Sequence, residues 1–448
     1  MNRSAAALGI VIAGRVEGLF GDAVTQAAHR GRVPGYGPLI PDPRGLLSLP
    51  RGFEYTIVAQ SGVTTLETGE PTPSDPDGTA AFAGRHGGSV LVNNHEVGGD
   101  EPHPVPRIPG FVYDEAAGGG TTTIEVDRHG NRVREYVSLA GTHNNCAGGR
   151  TPWNTWLTCE ETEAILGERH GYVFEVDPYD QRANRHPRPI KALGRFPHES
   201  LVVDPRSGRI YLTEDASKPN GLLYRYTPPR WALPLRHGTL KRLPDEAGRL
   251  EAMRAFTRGG ELVADLSVAT VPGTRYRVGW VDVPDRDAAT VSTRLQFGPG
   301  EITRSRKLEG MWRGDGGAYF VASFARTSDG SAAQHDGQVW FIDPRRDTIE
   351  LRLHFAYTPS DQDNDPDGPD NITVSPYGGV IMAEDGEGVQ HLVGSTDRGE
   401  VFFLARNEDA ESSEFAGPTF SHDRRILFAN IQSPGWVFAI RGPFHRRR

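Results

Sequence analysis

The residues best suited to chemistry in this sequence are a cysteine and a series of carboxylates, most of which lie at the ends of short apolar segments. Cys146 lies in the glycine-rich stretch GTHNNCAGGR, and Cys159 directly precedes the acidic run that begins at Glu160. Two cysteines cannot form a disulfide framework, although a single bridge between them would be possible. The alternative that the sequence context favours is a thiol that binds a ligand together with nearby acids.

A repeated pattern predicts how these residues are positioned. A segment that ends in polar or acidic residues occurs six times, for example as SVLVNNHE, TWLTCEE and VIMAEDG, and each is followed by a second segment such as GYVFEVDP. Alternating β-branched and aromatic residues bounded by Gly, Pro and Asp are typical of strands and turns. Three to four short strands repeated six times predict an all-β fold, a six-bladed β-propeller with loop insertions. An irregular pair of β-sandwiches would not explain the matched register.

Two parts of the chain fit the repeat less well. We expect one propeller domain over residues 31–448, with an insertion at about 228–306, and Asp245–Val263 has helical spacing in its first half. Residues 1–30 are expected to be an N-terminal segment or the remnant of an export signal. An apolar stretch from Ala5 to Ala13 lies between Arg3 and Arg15, as in the region that follows a twin-arginine pair. We therefore predict a periplasmic or secreted protein.

The repeat brings the carboxylates to one axis, because the innermost strand of each propeller blade starts at the central channel. Aligned on their turns, five repeats place these residues in equivalent positions: Cys146, Glu199, Glu309, Asn371 behind Asp370, and Gly417. The ends of the following strands supply a second ring: Glu96, Glu160, Glu214 or Asp215, Ser323, Glu384 or Asp385, and Asn430. Two layers rich in acids are thus predicted to converge.

Electrostatics indicates what such a cluster would bind. Two like charges about 4 Å apart repel by roughly 4 kcal/mol at an effective dielectric constant of 20, so the acids must take up protons or bind cations. Oxygen ligands suit Ca²⁺ or Fe³⁺, and a thiolate among them favours a transition metal. We predict a central metal site in which Cys146 is a ligand and Glu160 lies beside it. A buried structural thiol with a solvated acidic rim is the alternative.

Charge and hydropathy exclude two classes of partner. The formal net charge is −9, which argues against binding to a nucleic-acid backbone, and no apolar run approaches the length of a membrane span. Lys307 and Arg313 are among the cations nearest to the predicted ligands in the sequence, and an anionic substrate would require at least one such group. We assign them as candidate catalytic residues in a protein expected to be a monomer.

The same residues carry a family resemblance. The stretches NNCAGGRTPWNTWLTCEE, PHESLVVDP, KLEGMW, PDNITVSPYGGVIMAEDG and EFAGPTFSHDRRILFANIQSPG together resemble the PhoX-type bacterial alkaline phosphatases, from about Phe53 to the C-terminus. The resemblance implies export by the twin-arginine route, a six-bladed propeller and a central cofactor of iron and calcium. It also implies hydrolysis of small-molecule phosphomonoesters. We expect two Fe³⁺ and two or three Ca²⁺ ions.

The resemblance also assigns individual ligands. Cys146 matches the iron-binding cysteine of the family, and Glu199 and Glu309 match its carboxylate ligands. The remaining ligands are expected among Glu96, Glu160, Asp215, Asp370, Glu384 and Asp385. One departure is Lys307, which stands two residues before Glu309 where the family has an arginine for substrate phosphate. Lysine supplies a point charge without the bidentate fork.

Two other functions use the same residues. A calcium-dependent propeller hydrolase of lactones or phosphotriesters would need the carboxylates but no thiolate. A non-catalytic binding propeller would keep the acids as a structural calcium site and would turn over no phosphoester. Iron content distinguishes the phosphatase hypothesis from both.

Overall fold

Short strands bounded by glycine, proline and aspartate make up nearly all of the regular structure, as the sequence pattern predicts. The computed structural model describes residues 34–359, 364–409 and 413–445, and the predicted N-terminal segment at residues 1–30 lies outside them. The described residues contain β-strands and short 3₁₀ helices but no α-helix. None of their helices has the length and hydropathy needed to cross a membrane.

The strands are short and follow one another closely along the chain. They are β1 (Leu39–Ile40), β2 (Leu47–Pro50), β3 (Glu54–Gln60), β4 (Pro76–Ala83), β5 (Ser89–His95), β6 (Gly119–Val126), β7 (Arg132–Thr142), β8 (Asn145–Arg150), β9 (Trp156–Glu160), β10 (Val173–Val176), β11 (His198–Val203), β12 (Ile210–Glu214), β13 (Leu223–Thr227), β14 (Arg249–Phe256), β15 (Leu262–Val263), β16 (Arg275–Asp282), β17 (Leu308–Gly314), β18 (Gly317–Ala322), β19 (Gly337–Asp343), β20 (Thr348–Phe355), β21 (Pro369–Val374), β22 (Val380–Glu384), β23 (His391–Ser395), β24 (Val401–Asn407), β25 (Phe415–Phe420), β26 (Ile426–Ile431) and β27 (Trp436–Arg441). The 3₁₀ helices are Arg85–Gly87, Gln181–Asn184, Lys191–Leu193, Arg230–Ala232, Leu240–Arg242, Leu266–Val268, Thr293–Gln296 and Thr327–Asp329.

Hydrogen bonding joins these strands into antiparallel sheets with a propeller-like arrangement. Their strand orders are β4-β5-β6-β7, β8-β9-β10, β21-β22-β23-β24-β2-β1 and β25-β26-β27-β3. A larger sheet contains two successive runs, β11-β12-β13-β14 and β17-β18-β19-β20, which are connected through β16. The N-terminal strand β3 completes the C-terminal sheet by pairing with β27, so the two ends of the described chain are held together.

The innermost strands surround a common axis. Strands β4, β8, β11, β17, β21 and β25 contact one another in that order, and β25 contacts β4. A small central cavity is lined by residues from all six, including Gly78, Ala147, Ser200, Gly310 and Gly417. Apolar side chains fill the spaces between neighbouring sheets, as where Leu157 of β9 packs with Leu201 of β11. This packing fixes the start of each innermost strand near the axis.

The predicted insertion at 228–306 contains strands β14, β15 and β16. The helical spacing that we read in Asp245–Val263 is wrong for its central part, since Arg249–Phe256 forms β14. Tyr224 of β13 pairs with Ala252 of β14, so the open edge of β13 supplies backbone partners that favour a strand. Burial and pairing at a sheet edge outweigh local helical propensity here.

Candidate metal centre

Each innermost strand contains a β-bulge at the same place. In β11, His198 pairs with Glu214 and Leu201 pairs with Leu212, so two residues of β11 face one residue of β12. The same two-against-one shift occurs in β4, β8, β17, β21 and β25. Such a bulge turns its first residue out of the ladder and re-aims the side chain. The first bulge residues are Asp77, Cys146, Glu199, Glu309, Asp370 and Gly417.

A second set of residues lies directly after the strand that pairs with each bulged strand. The amide of Glu96 donates to the carbonyl of Asp75, and that of Glu161 donates to the carbonyl of Asn144. Asp385 makes the same bond to Gly368. The complete set is Glu96, Glu161, Asp215, Ser323, Asp385 and Gln432. These amide contacts hold the second set beside the residue that precedes the bulged strand.

The two sets meet in groups close enough to hold metal ions. One group is Asp77, Glu96 and Cys146, a second is Cys146, Glu161 and Glu199, and a third is Glu199, Glu309 and Asp370. Within each group the candidate ligand atoms lie within 4.8 Å of one another. Because Cys146 and Glu199 each belong to two groups, the three groups form one continuous cluster.

Burial and mutual repulsion raise the pKa values of the acids in this cluster. Burial raises the pKa values of Glu161, Glu199 and Glu309 well above the ordinary range, and neighbouring carboxylates raise them further. Burial likewise raises the pKa of Asp370 to about 7, with a further contribution from Asp385. Burial also raises the pKa of the Cys146 thiol, with Glu161 adding to it. Without cations, therefore, these groups would hold protons that metal ligands must release.

Lys307 lies against the acidic cluster and is the cation that contacts it most closely among the described residues. Its Nζ atom is 3.1 Å from Glu309 Oε1, 3.8 Å from Asp215 Oδ2 and 3.4 Å from Asp385 Oδ2. Its pKa is raised, chiefly by Glu309, so it stays charged. The side chain is 21% exposed, so Lys307 is not fully enclosed by the acids.

Arg313 does not belong to this cluster. It lies four residues beyond Glu309 in β17 and pairs with Ala318 near the other end of the hairpin, roughly 13 Å along the strand at 3.3 Å per residue. Its side chain is exposed there. The catalytic assignment of Arg313 is therefore wrong in position, because the strand carries it away from the acids.

Two of the predicted ligands point away from the cluster. Glu160 accepts hydrogen bonds from the amides of His143, Gly171 and Tyr172, and His170 Nδ1 lies 2.7 Å from its Oε1 atom. The carboxylate of Glu160 is therefore fully engaged by residues of the loops that flank its own sheet. The next residue, Glu161, takes the position in the cluster that we predicted for Glu160.

The same one-residue correction applies to Glu384. Its carboxylate accepts from the amides of Asp367 and His391, and His391 Nδ1 lies 2.9 Å from it. The neighbouring Asp385 faces the cluster, as Lys307 shows. In the third repeat, Glu214 is held by Tyr224 and Arg294, whereas Asp215 approaches Lys307. Successive residues of a strand face opposite sides, so a shift of one residue exchanges the two roles.

Other predicted positions are accounted for in the same way. Asn430 does not face the ligands: its Nδ2 atom donates to Asp77 O at 2.5 Å and to Thr79 Oγ1 at 2.9 Å, which ties β26 to β4. Ser323 is buried in the second set, as expected. Cys159 is a free thiol in the apolar core, and Cys146 is also free, so the possible bridge between them does not form.

Three acids of the cluster were missed from the sequence: Asp77, Glu161 and Glu414. Burial raises the pKa of Glu414 well above its ordinary value, as do Asp385 and Asp370, which places it among the same carboxylates. Asp77 was missed because its repeat lacks the turn motif used for the alignment. The signal that could have found it is Asp-Gly before the strand TAAFAG, which parallels Glu-Gly in KLEGMW.

The candidate ligand atoms lack enough hydrogen-bond partners among themselves, which favours a bound metal ion. Asp77 Oδ1 is buried without a hydrogen-bond partner, and the sulfur of Cys146 lies 2.7 Å from Glu161 Oε2. Buried polar atoms without partners are costly. A mixed set of carboxylates and one thiol, arranged in three adjoining groups, has the donor types that metal ions use in proteins.

Comparisons with known proteins agree with this architecture. The family model of the alkaline phosphatase PhoX matches residues 34–134 and 130–435. The solved structure of Pseudomonas fluorescens PhoX in complex with vanadate, a transition state analogue, superimposes with a TM-score of 0.67 at 18% identity, covering 89% of this chain and 96% of that one. No curated protein matches the chain.

Weaker structural likenesses extend to other enzymes. A gluconolactonase of Xanthomonas campestris has a TM-score of 0.40 at 13% identity, covering 92% of this chain and all of that one. The PQQ domain of a Coprinopsis cinerea pyranose dehydrogenase has a TM-score of 0.41 at 11% identity, covering 90% and 98%. The family match, by contrast, spans nearly all of the described residues, and the chain therefore belongs to the PhoX alkaline phosphatase family.

Proposed function

We propose that this protein hydrolyses phosphomonoesters at a multinuclear metal centre in the channel of a six-bladed β-propeller. The observation that carries the proposal is the six-fold repetition of a bulged innermost strand whose first bulge residue is an acid or a thiol in five of six cases. Counting the two runs of the large sheet separately gives the six blades. The domain would span residues 31–448, with the insertion at about 228–306.

The three ligand groups would bind different metals according to their donor atoms. The two groups that contain Cys146 suit iron, since a thiolate favours a transition metal. The group formed by Glu199, Glu309 and Asp370 has carboxylates alone and also suits calcium. With Asp77, Glu96, Glu161, Asp215, Asp385 and Glu414, these residues would hold two Fe³⁺ and two or three Ca²⁺ ions, and water would complete the ligand sets. Bound ions of this kind polarise phosphoryl oxygens and lower the pKa of water.

Lys307 would bind the phosphate group of the substrate. Its ammonium group contacts Glu309 and Asp385, and its side chain is partly exposed, so it would contact an anion that enters the cluster. During phosphoryl transfer, charge spreads over the equatorial oxygens, and a fixed cation next to them stabilises the transition state. The vanadate complex of the Pseudomonas fluorescens relative supports phosphoryl chemistry for this family.

The calcium-dependent lactonase and the non-catalytic propeller use the same acids without the thiol. The position of Cys146 in two of the three ligand groups favours the phosphatase, because neither alternative requires a sulfur ligand. Export by the twin-arginine route and a monomeric state complete the proposal. Both can be tested by cell fractionation and by light scattering of the purified protein.

Metal analysis together with turnover tests the proposed function. Freshly purified protein should contain both iron and calcium and should release phosphate from an aryl phosphate at alkaline pH, and chelation should abolish the release. A phosphotriester and a lactone serve as competing substrates. Iron-free protein that opens lactones, or metal-loaded protein that leaves all phosphomonoesters intact, would refute the proposal.

A further inference from the structure

Outside the acidic cluster, the molecule has a concentrated region of positive charge, which we call the basic patch. Residues 181–188 and 231–242 contain Arg182, Arg185, Arg188, Arg236, Lys241 and Arg242 but no Asp or Glu. This composition contrasts with the chain as a whole, whose formal net charge is −9. A local excess of cations on an acidic protein points to an anionic partner.

The two segments form one surface. Lys241 Nζ donates to the carbonyl oxygen of Ala183 at 3.3 Å, and Leu240 anchors its segment in the core. Gly238 N donates to Glu175 Oε2 at 2.8 Å, which fixes the second segment against the strand that precedes the first. The five arginines of the patch are exposed, and Lys241 is half-buried.

Apart from Asp180, which accepts a hydrogen bond from the amide of Arg182 at 3.0 Å, the acids near the patch have partners outside its five arginines. Asp245 pairs with Lys191 at 3.8 Å, Glu246 pairs with Arg286 at 3.5 Å, and Asp177 lies 3.3 Å from His237. Within the described residues, the five arginines of the patch take part in no ion pair. The guanidinium group of Arg185 lies over the ring of Phe111, 5.6 Å from its centroid, and the other four are available to an external anion.

An exposed aromatic side chain accompanies these cations. Trp231 is 70% exposed and Leu233 is 39% exposed, while Ala232 between them is buried. Trp231 belongs to the same segment as Arg236 and Arg242, and tryptophan and arginine are side chains that proteins place at the headgroup level of a bilayer. A soluble polyanion would account for the arginines but would not require exposed Trp231 and Leu233.

The basic patch lies at the strand ends that point away from the acidic cluster. Strand β10 starts where Val173 pairs with Cys159, next to Glu160, and ends where Val176 pairs with Trp156. Strand β13 likewise runs from Leu223, opposite Thr213, to Tyr226, opposite Ile210. The basic segments follow these far ends. An anionic surface could therefore approach the patch without facing the carboxylates.

We propose that the basic patch, with Trp231 and Leu233, binds the surface of a bilayer that contains anionic phospholipid. The arginines would contact the headgroups, and Trp231 and Leu233 would enter the interface. Binding would hold the enzyme at a membrane while the acidic cluster stays open to solution. The proposal is independent of the reaction at the metal centre.

Vesicle sedimentation tests the binding directly. Metal-loaded protein is mixed with vesicles of phosphatidylcholine and phosphatidylglycerol, or of phosphatidylcholine alone, and we expect binding only to the first, weakened by salt. Each cation near an anionic surface contributes about a factor of five in affinity. A combined Arg182→Gln, Arg188→Gln and Arg236→Gln variant should therefore bind about 100-fold more weakly, and Trp231→Ser should bind severalfold more weakly.

The matched control removes three exposed arginines elsewhere, Arg51, Arg85 and Arg258, and should bind almost as the unaltered protein does. The melting temperature and the far-ultraviolet circular dichroism spectrum report folding in every variant, whatever reaction the metal centre catalyses. Equal weakening by both triple variants, no binding to phosphatidylglycerol, or binding to soluble heparin without dependence on Trp231 would each overturn the proposal.

Discussion

At the scale of the residue, the two cysteines offer a matched pair of substitutions. Cys146 lies among Asp77, Glu96, Glu161 and Glu199, whereas Cys159 is fully buried in the apolar core. We expect Cys146→Ser to lose most of the bound iron and with it about 100-fold or more in turnover, because a hydroxyl is a poor substitute for a thiolate ligand. Elemental analysis of the purified variants measures this loss.

The Cys159→Ser variant is the control for that experiment. The same chemical change in the core should lower the melting temperature but leave the iron content of the folded protein unchanged. Full iron occupancy in Cys146→Ser would remove Cys146 from the ligand set.

Adjacent glutamates test the one-residue correction in the second blade. Glu161→Gln should reduce metal binding at least about tenfold, since an amide is a weaker ligand than a carboxylate. Glu160→Gln should keep the metal but lose about 1.5–3 kcal/mol of stability, because charged hydrogen bonds to backbone amides and His170 are weakened. Metal titration and thermal unfolding separate the two effects. The opposite pattern would restore Glu160 as the ligand.

Two substitutions of Lys307 test whether its positive charge binds the substrate phosphate. Lys307→Met removes the cation beside Glu309 and Asp385 and should lower kcat/KM about 100-fold, the usual cost of losing one oxyanion donor. Lys307→Arg keeps the charge and should recover most of that loss. Steady-state kinetics with an aryl phosphate measures both variants. Equal activity of Lys307→Met and the unaltered enzyme would exclude the phosphate-binding role.

At the scale of the element, neighbouring innermost strands lie so close that glycine is required at a bulge. A Cβ atom on Gly310 would lie 2.7 Å from both Asn371 Cα and Asp370 O, which are backbone atoms that cannot move alone. Gly310→Ala should push β17 from β21, separate Glu309 from Asp370, and cost about 1–3 kcal/mol. We expect a lower melting temperature and less bound metal.

Gly259 in the turn between β14 and β15 supplies the control. A Cβ atom there would meet only Thr257 Oγ1 at 3.6 Å, an ordinary contact. Gly259→Ala should therefore leave metal content and melting temperature nearly unchanged. If Gly310→Ala behaves like it, close packing of the innermost strands does not control the ligand geometry.

The sequence predicted where the strands lie, but it did not predict which side of the sheet each residue faces. Alternation of apolar and polar residues identified the strand that ends at Glu160, and the same pattern identified the strand that ends at Glu384. Which of two consecutive acids faces the axis depends on the bulge in the partner strand, a tertiary feature that no local pattern encodes. The sequence prediction therefore named Glu160 where the structure places Glu161. Asp385 was identified because Glu384 and Asp385 were both named as candidates.

At the scale of the whole molecule, the family was recognisable because its motifs coincide with the bulged strands. The position of Arg313 was also predictable, because four residues of one strand place it roughly 13 Å from Glu309. Asp77 and Glu414 come from the first and last sheets of the ring, where N- and C-terminal parts of the chain meet. Only closure of the ring between β25 and β4 brings Glu414 close to Asp77 and Glu96, which are far away in sequence.

The closed ring also predicts how stability depends on pH once the metal is removed. In the folded, metal-free protein the buried acids have raised pKa values, and that of Asp370 is about 7, whereas in the unfolded chain they are about 4. The folded state then binds more protons than the unfolded state between these values, so the free energy of unfolding falls as pH rises. This is the reverse of the usual behaviour of an ion-paired carboxylate.

We therefore expect metal-free protein to melt at least about 5 °C lower at pH 8 than at pH 5, and metal-loaded protein to lose this dependence because cations replace the protons. Differential scanning calorimetry of both forms across this range measures the effect. A variant that combines Glu199→Gln with Glu309→Gln replaces two of these acids by side chains that do not ionise and should make the metal-free curve shallower. A metal-free protein that becomes more stable towards alkaline pH would show that the carboxylates are not confined together. Metal binding and folding would then be separable, contrary to what the crowding of Glu161, Glu199 and Glu309 implies.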